Sequence, residues 1–350
     1  MQTKQWLDVC TVLTSVIKVN PIKPITELVE FYAKDGVLHI GMTDGLMRIV
    51  TTMPVDTEIP NTVVNASKLY NLLKYTTKQE FTLSHKGDHI LFTGNGKYKL
   101  GIVLDESGNE IQLRLNMPNM SDEVSTGNPK DYQLLLKRNK LALATDDSMI
   151  MLQRYGYVGD SVITSNSIVM CITKMEKMCY EQMYSALVQQ LAQLPDVFTW
   201  SATKQGLRIH CGIFELFSVI SCPNDFPFPA VNSVLTMKSK CSISVSQKDF
   251  SDALKRLTLF KDTIGTAVLF ISVLPNKFMI SNLSVQEDVS CTIETLQEEI
   301  HMKFNADTVL NIIKKMENEL LTCELNDVFI KLTDSIGSYI IGRLEDEEEK

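Results

Sequence analysis

Two stretches of the chain lie 240 residues apart and align without a gap: NASKLYNLLKYTTKQEFTL (65–83) and NADTVLNIIKKMENELLTC (305–323). Asn65/Asn305, Ala66/Ala306, Asn71/Asn311, Lys74/Lys314 and Thr82/Thr322 are identical, and Leu69/Val309, Leu72/Ile312 and Leu73/Ile313 are equivalent. Each copy opens on an Asn suited to a helix N-cap, carries apolar residues at i, i+3 and i+4, then leaves the helix for a strand. A repeat of this kind constrains a fold strongly, because every copy must be the same supersecondary unit.

A middle copy lies between them. VFTWSATKQGLRIHCGIFELFSVI (197–220) lines up with 80–104 and 320–344 on Thr82, Thr199 and Thr322. All three segments read as strand, turn, strand, turn, strand. Upstream, EQMYSALVQQLAQL (181–194) supplies the helix that 65–83 and 305–323 supply in the other copies. A further helix opens each unit, over 4–18, 131–145 and 247–260. Trp6, Val9, Cys10 and Leu13 share the stripe of Phe250, Ala253, Leu254 and Leu257. β-like runs lie between the two helices of each unit, among them MIMLQRYGYVGDSVI (149–163). Polar, Pro-bearing loops at 116–131 and 223–234 separate the units. The expected fold class is α+β, with three domains at 1–121, 122–237 and 238–350, the last ending in the acidic run 345–349.

Composition excludes some function classes. No stretch approaches the roughly 18 apolar residues of a membrane span, and the N-terminus lacks signal-peptide features. Eight cysteines without a C-x-x-C pair suit a reducing, cytoplasmic setting. The Gly-x-Gly of GNGKYKLG lies between strands, so a hairpin turn explains it better than a phosphate loop. His85 and His89 flank a turn without further ligands, and no nucleophile–base or paired-carboxylate motif stands out. No catalytic residue, metal or cofactor is therefore expected. Net charge is -8, so any nucleic-acid function must rest on where cations lie rather than on their sum.

The order of these units, and FNADTVLNIIKK, VFIKLTDSIGSYIIGRL, DFPFPAVNSVL, MPNM and GMTDGLMRIV within it, resembles the bacterial-type sliding clamp, the beta subunit of DNA polymerase III. The resemblance runs co-linearly along essentially the whole chain. It implies a non-catalytic processivity factor in which two chains close head to tail into a homodimeric ring. Helices would line the inside, duplex DNA would pass through, and a replicative polymerase and clamp loader would dock outside. The cations on the expected inner helices are Lys4, Lys18, Lys68, Lys74, Lys137, Arg138, Lys140, Lys248, Lys255, Arg256, Lys314 and Lys315, suited to sequence-independent phosphate contact. The helix at 181–194 is instead Gln-rich and carries no Lys.

By position, the family's partner-peptide pocket would be formed by Thr164, Asn166, Val169, Pro229, Val234, Asn305, Ile340, Ile341, Gly342, Arg343 and Leu344. Two departures matter. Thr164–Ile168 replaces the family's Thr-Asp-Gly-His-Arg run, and Gly342-Arg343-Leu344-Glu345-Asp346 replaces its Met-Pro-Met-Arg-Leu ending. An altered pocket implies a polymerase and loader unlike the usual bacterial ones, as a phage or mobile-element replication system would have. The alternative function is a clamp-fold interaction scaffold that does not encircle DNA.

Overall fold

The computed structural model describes residues 1–109, 111–113, 115–119, 123–202, 206–219, 225–260 and 267–344. The expected boundary at 121/122 and the acidic run 345–349 lie outside them.

Seven α-helices are present among the described residues: α1 (Thr3–Val16), α2 (Ala66–Tyr75), α3 (Pro129–Asn139), α4 (Ser185–Leu191), α5 (Phe228–Leu235), α6 (Gln247–Leu257) and α7 (Ala306–Ile313). The aligned asparagines cap their helices as expected. Asn65 accepts from the Lys68 N–H at 3.0 Å and Asn305 from the Thr308 N–H at 2.9 Å. Ser246 does the same for α6 through the Asp249 N–H. The apolar stripes are buried: Trp6, Val9, Cys10 and Leu13 on α1, and Phe250, Ala253, Leu254 and Leu257 on α6. Burial of each large member of such a stripe contributes about 1.5–3 kcal/mol, which is what holds these short helices in place.

The three aligned strand sets share one register. Thr82 pairs with Thr93, Thr199 with His210 and Thr322 with Thr333, each partner eleven residues on. The chain leading into the first helix of each copy also pairs beside that strand set, through the Gln2–Glu80 bridge, Thr126–Thr199 and Ser244–Thr322. The order of elements therefore repeats three times, from α1 to α2, α3 to α4 and α6 to α7.

By packing, the chain forms two compact units. One comprises Met1–Gln133 and Ser185–Pro223, the other Leu134–Tyr184 and Asn224–Lys350. In the first, an eight-stranded sheet joins two copies: Met47–Pro54 of the first pairs with Phe214–Ser218 of the second, in the register Leu216–Ile49. A three-stranded sheet (Thr82–His85, His89–Thr93, Lys97–Gly101) completes that unit. In the second unit a nine-stranded sheet repeats the joint, pairing Val169–Lys174 with Gly337–Gly342 in the register Cys171–Tyr339. A four-stranded sheet runs Gln286–Asp288, Lys277–Ser281, Val268–Leu274, Ile300–Asn305.

Three local expectations are corrected. The helix expected over 181–194 is α4 alone, because Gln182–Tyr184 adds to a sheet edge and buries Met183 opposite Tyr155. Sheet hydrogen bonds there override helical periodicity. Residues Asp147–Leu152 form 3-10 turns rather than the start of a strand. The loop expected at 223–234 contains α5, which tolerates Pro229 in its first turn because the N–H groups there have no intrahelical acceptor.

Candidate DNA-facing helices and partner groove

Among the cations expected to meet DNA, Lys18, Lys68, Lys74, Lys137, Lys140, Lys248, Lys255, Arg256, Lys314 and Lys315 are exposed, as is Lys4. They fall on the helix faces opposite the buried stripes or in the turns that end those helices. Three already have carboxylate partners: Lys137 with Glu317 at 2.8 Å, Lys255 with Asp252 at 2.8 Å, and Arg256 with Glu287. These pairs are exposed and so exchange readily with solvent or phosphate. The Lys74 ammonium sits 5.9 Å from the ring centroids of Tyr70 and Tyr75.

Arg138 does not belong with them. It is 0% exposed and makes a bidentate ion pair with Asp334, at 2.7 and 3.0 Å. Burial opposes charge on both groups, but the pairing outweighs it. The Arg138 guanidinium is held more basic than usual, and the Asp334 carboxyl below the usual carboxylate range. Arg138 lies three residues after Leu135 and six after Tyr132, both buried, so the stripe of α3 runs through it. That periodicity was the signal in the sequence that outweighs its charge.

A cation absent from the expected set is Lys23. It lines a small cavity with Lys18, Asn20, Asp44 and Gln190, beside the end of α1. Its loop breaks the helical pattern, so no periodicity points to it.

The second unit carries an apolar groove of about 400 Å³. Its floor is the strand pair Val169–Lys174 and Gly337–Gly342, with Met170 opposite Ile340. One wall is α5, through Ala230, Val231 and Val234, and another is formed by Met151 and Leu152. Beneath it Ile163, Met170, Phe226, Val231, Phe329 and Ile340 form a separate small core. The rim is the turn at Asn166–Ile168. Asn166 accepts the N–H groups of Ile168 and Val169 at 3.1 and 2.8 Å and donates to the Leu141 carbonyl at 3.1 Å. This holds Ser167 at a φ of 72° and leaves Ile168 61% exposed above the groove.

The expected pocket residues separate by strand alternation. Val234, Ile340 and Gly342 line the groove, Asn166 shapes its rim, and Val169 reaches its border while packing into the main core beside its cross-strand partner Ile341. Ile341 points to the opposite face, into the main core of this unit. Thr164 is wholly buried and hydrogen-bonds Asn139 at 3.1 Å. Pro229 is exposed on α5 outside the lining, and Asn305 is occupied as the cap of α7. Arg343 and Leu344 tie down the chain beyond the last strand, through N–H bonds to Val328 and Lys303 carbonyls. Met151, Leu152, Ile168, Pro227, Met237 and Val328 line the groove without having been expected there. The apolar run Met149–Met151 within a polar surrounding was the available sign.

No helix among the described residues is long and apolar enough to cross a membrane. No protein-family model matches the chain, and none of the curated proteins compared matches it. Solved structures do. The chain is similar to the DNA polymerase sliding clamp of Pseudomonas aeruginosa, with a TM-score of 0.77 at 14% identity over 99% of each chain. It is similar to that of Bacillus subtilis, with a TM-score of 0.78 at 15% identity over 99% of this chain and 98% of that one. A third is the sliding clamp of Bartonella birtlesii bound to griselimycin, at 0.77 and 15% over the same shares. The chain has the fold of bacterial DNA polymerase III beta sliding clamps.

Proposed function

We propose that this chain is a DNA sliding clamp, a non-catalytic processivity factor built of three equivalent domains that closes around duplex DNA as a head-to-tail homodimer. The carrying observation is that the chain makes two of the three sheet joints its repetition calls for and, among the described residues, leaves the halves of the third unpaired. Each joint made pairs the last strand of one copy with the third strand of the copy before it. By that rule Lys97–Gly101 of one molecule meets Gln286–Asp288 of another. In each molecule both are free edges among the described residues. Free edges invite pairing, and a closed ring satisfies them without an open filament.

The edges are complementary. Lys97 and Lys99 are exposed on one, and Glu287 and Asp288 lie on the other, where Arg256 and Lys277 pair with them in exposed contacts that incoming lysines could share. Beside the acidic edge Leu259 and Phe260 stand 79% and 52% exposed, on a turn held by the Asn282 amide, which donates to the Leu257 and Phe260 carbonyls. Beside the basic edge is a cavity of about 690 Å³ lined by Leu72, Tyr75, Tyr98 and Leu100. Leu259 and Phe260 would fill it.

In this reading the exposed helix cations hold DNA without reading bases, and the groove takes an apolar peptide of the polymerase and the loader. The topological test uses cysteines placed at Lys97 and Asp288 to seal the joint. Sealed rings formed with plasmid should keep circular DNA through denaturation and lose it on linearisation. Equal behaviour of linear and circular DNA would defeat the proposal. A scaffold that does not encircle DNA is the second reading. It is favoured by one observation, that Lys137, Lys255 and Arg256 are already matched by carboxylates.

A further inference from the structure

The outward face of the first sheet holds a second site, unrelated to the groove and independent of the clamp reading. Phe31, Ile40 and Ile49 point inward, Phe31 edge-to-face with Trp6 of α1 at 5.8 Å. By alternation Glu30, Tyr32, His39 and Gly41 point outward. They line a cavity of about 530 Å³ together with Asn61 and Asn116. Leu115 roofs it. The Leu113 N–H donates to Glu30 Oε2 at 2.8 Å, and Leu115 packs so close over Gly41 that a Cβ there would lie 2.7 Å from its Cδ1. A Cβ there would also lie 2.7 Å from the Ile49 carbonyl oxygen of the neighbouring strand, so the backbone approach as well as the roof calls for glycine.

Glu30 is only 9% exposed, yet among the described residues no cation pairs with it. A buried carboxylate with a single backbone donor retains acceptor capacity, and burying it is costly without a counter-charge. Asn61 Oδ1 is buried and also lacks a partner. Next to these acceptors the rings of Tyr32 and His39, cross-strand neighbours, stack at 4.6 Å and 12°. A carboxylate beside flat aromatic faces is the chemistry that recognises a planar, donor-rich cation.

We propose that this cavity takes a guanidinium group, presented as an arginine side chain by a partner protein. Among the described residues the lining contains no Lys or Arg to neutralise the α-carboxylate of a free amino acid, and Tyr32 is 37% exposed at the mouth. An arginine within a polypeptide has no such carboxylate.

The test follows amide spectra of the full chain during titration with Nα-acetyl-arginine amide. Saturable shifts at Tyr32, His39 and Leu113 are expected. The citrulline analogue, which has the same shape without charge, should bind at least about tenfold more weakly, the loss of one charge-assisted pair. Glu30→Gln should weaken arginine-amide binding by a similar factor, because it keeps an acceptor for the Leu113 N–H but removes the charge. Tyr32→Ala, at an exposed position that the fold tolerates, should weaken it several-fold. No saturable shift up to the solubility limit, equal binding of the citrulline analogue, or indifference to both substitutions would overturn the proposal. Tighter binding of free arginine than of its blocked form would overturn the assignment to a partner protein.

Discussion

Arg138 and Asp334, 196 residues apart, form a bidentate ion pair from which water is wholly excluded. Asp334 also accepts the N–H groups of Ile336 and Gly337 at 3.0 and 2.9 Å and of Glu317 at 3.2 Å. The Tyr339 hydroxyl donates to the Arg138 carbonyl at 2.9 Å. One carboxylate thus shapes the last hairpin turn and anchors the end of α3. Arg138 Nε is left without a partner, so the geometry is not saturated.

Removing one member of such a pair strands the other charge in the interior. Arg138→Met is expected to lower stability by about 3–5 kcal/mol, read from urea unfolding. Lys137→Met, one residue away and exposed, should change it by less than about 0.5 kcal/mol. Equal effects would contradict the buried pair.

The pair also sets an acid limit. The folded carboxyl of Asp334 is held below its unfolded value, so the unfolded chain binds the proton more readily. Its contribution is full above the unfolded carboxylate pKa of about 3.9 and is lost as pH falls through the lower folded value. The stability gap between the native chain and Asp334→Asn should narrow only on acidification below about pH 4. A gap that narrows between pH 7 and 5 would point to another group.

The proposed ring closure predicts a dimer in solution that depends on Leu259 and Phe260. Sedimentation of the double substitution Leu259→Lys/Phe260→Lys should show monomers with an unchanged circular dichroism spectrum, since both side chains are exposed. A dimer that survives would remove this edge from the interface.

In the groove, Val234→Asp places a charge against Ile340 and Met170 without touching the main core. Binding of an apolar-anchored peptide, measured by calorimetry, should fall by roughly 30-fold or more, as for a buried hot spot. Met151→Ala and Ile168→Ala should each cost several-fold. An ordinary bacterial clamp-binding peptide should bind weakly, because Ile168 and its turn replace the charged residues of the family.

Much of the fold was legible in the chain itself. Short-range periodicity and capping are local physics, so α1, α2, α6, α7 and the three strand sets follow from spacing, and Asn65 and Asn305 cap as expected. The helix expected over 181–194 forms only over Ser185–Leu191, because Gln182–Tyr184 pairs with the strand Arg154–Val158. Position along the chain does not separate the two faces of one strand: Ile340 and Gly342 face the groove, whereas Ile341 enters the core.

The sequence by itself determined the threefold order of elements and the shared register anchored on Thr82, Thr199 and Thr322, since both rest on local patterns repeated along the chain. Only the tertiary structure decided which cations meet solvent and which apolar residues converge. Lys137 and Arg138 are adjacent and equally charged. A rotation of about 100° along α3 puts one in water and the other against Asp334, whose position is set by a hairpin nearly two hundred residues away. No local rule carries that information, because the partner's place is known only once the sheet has formed.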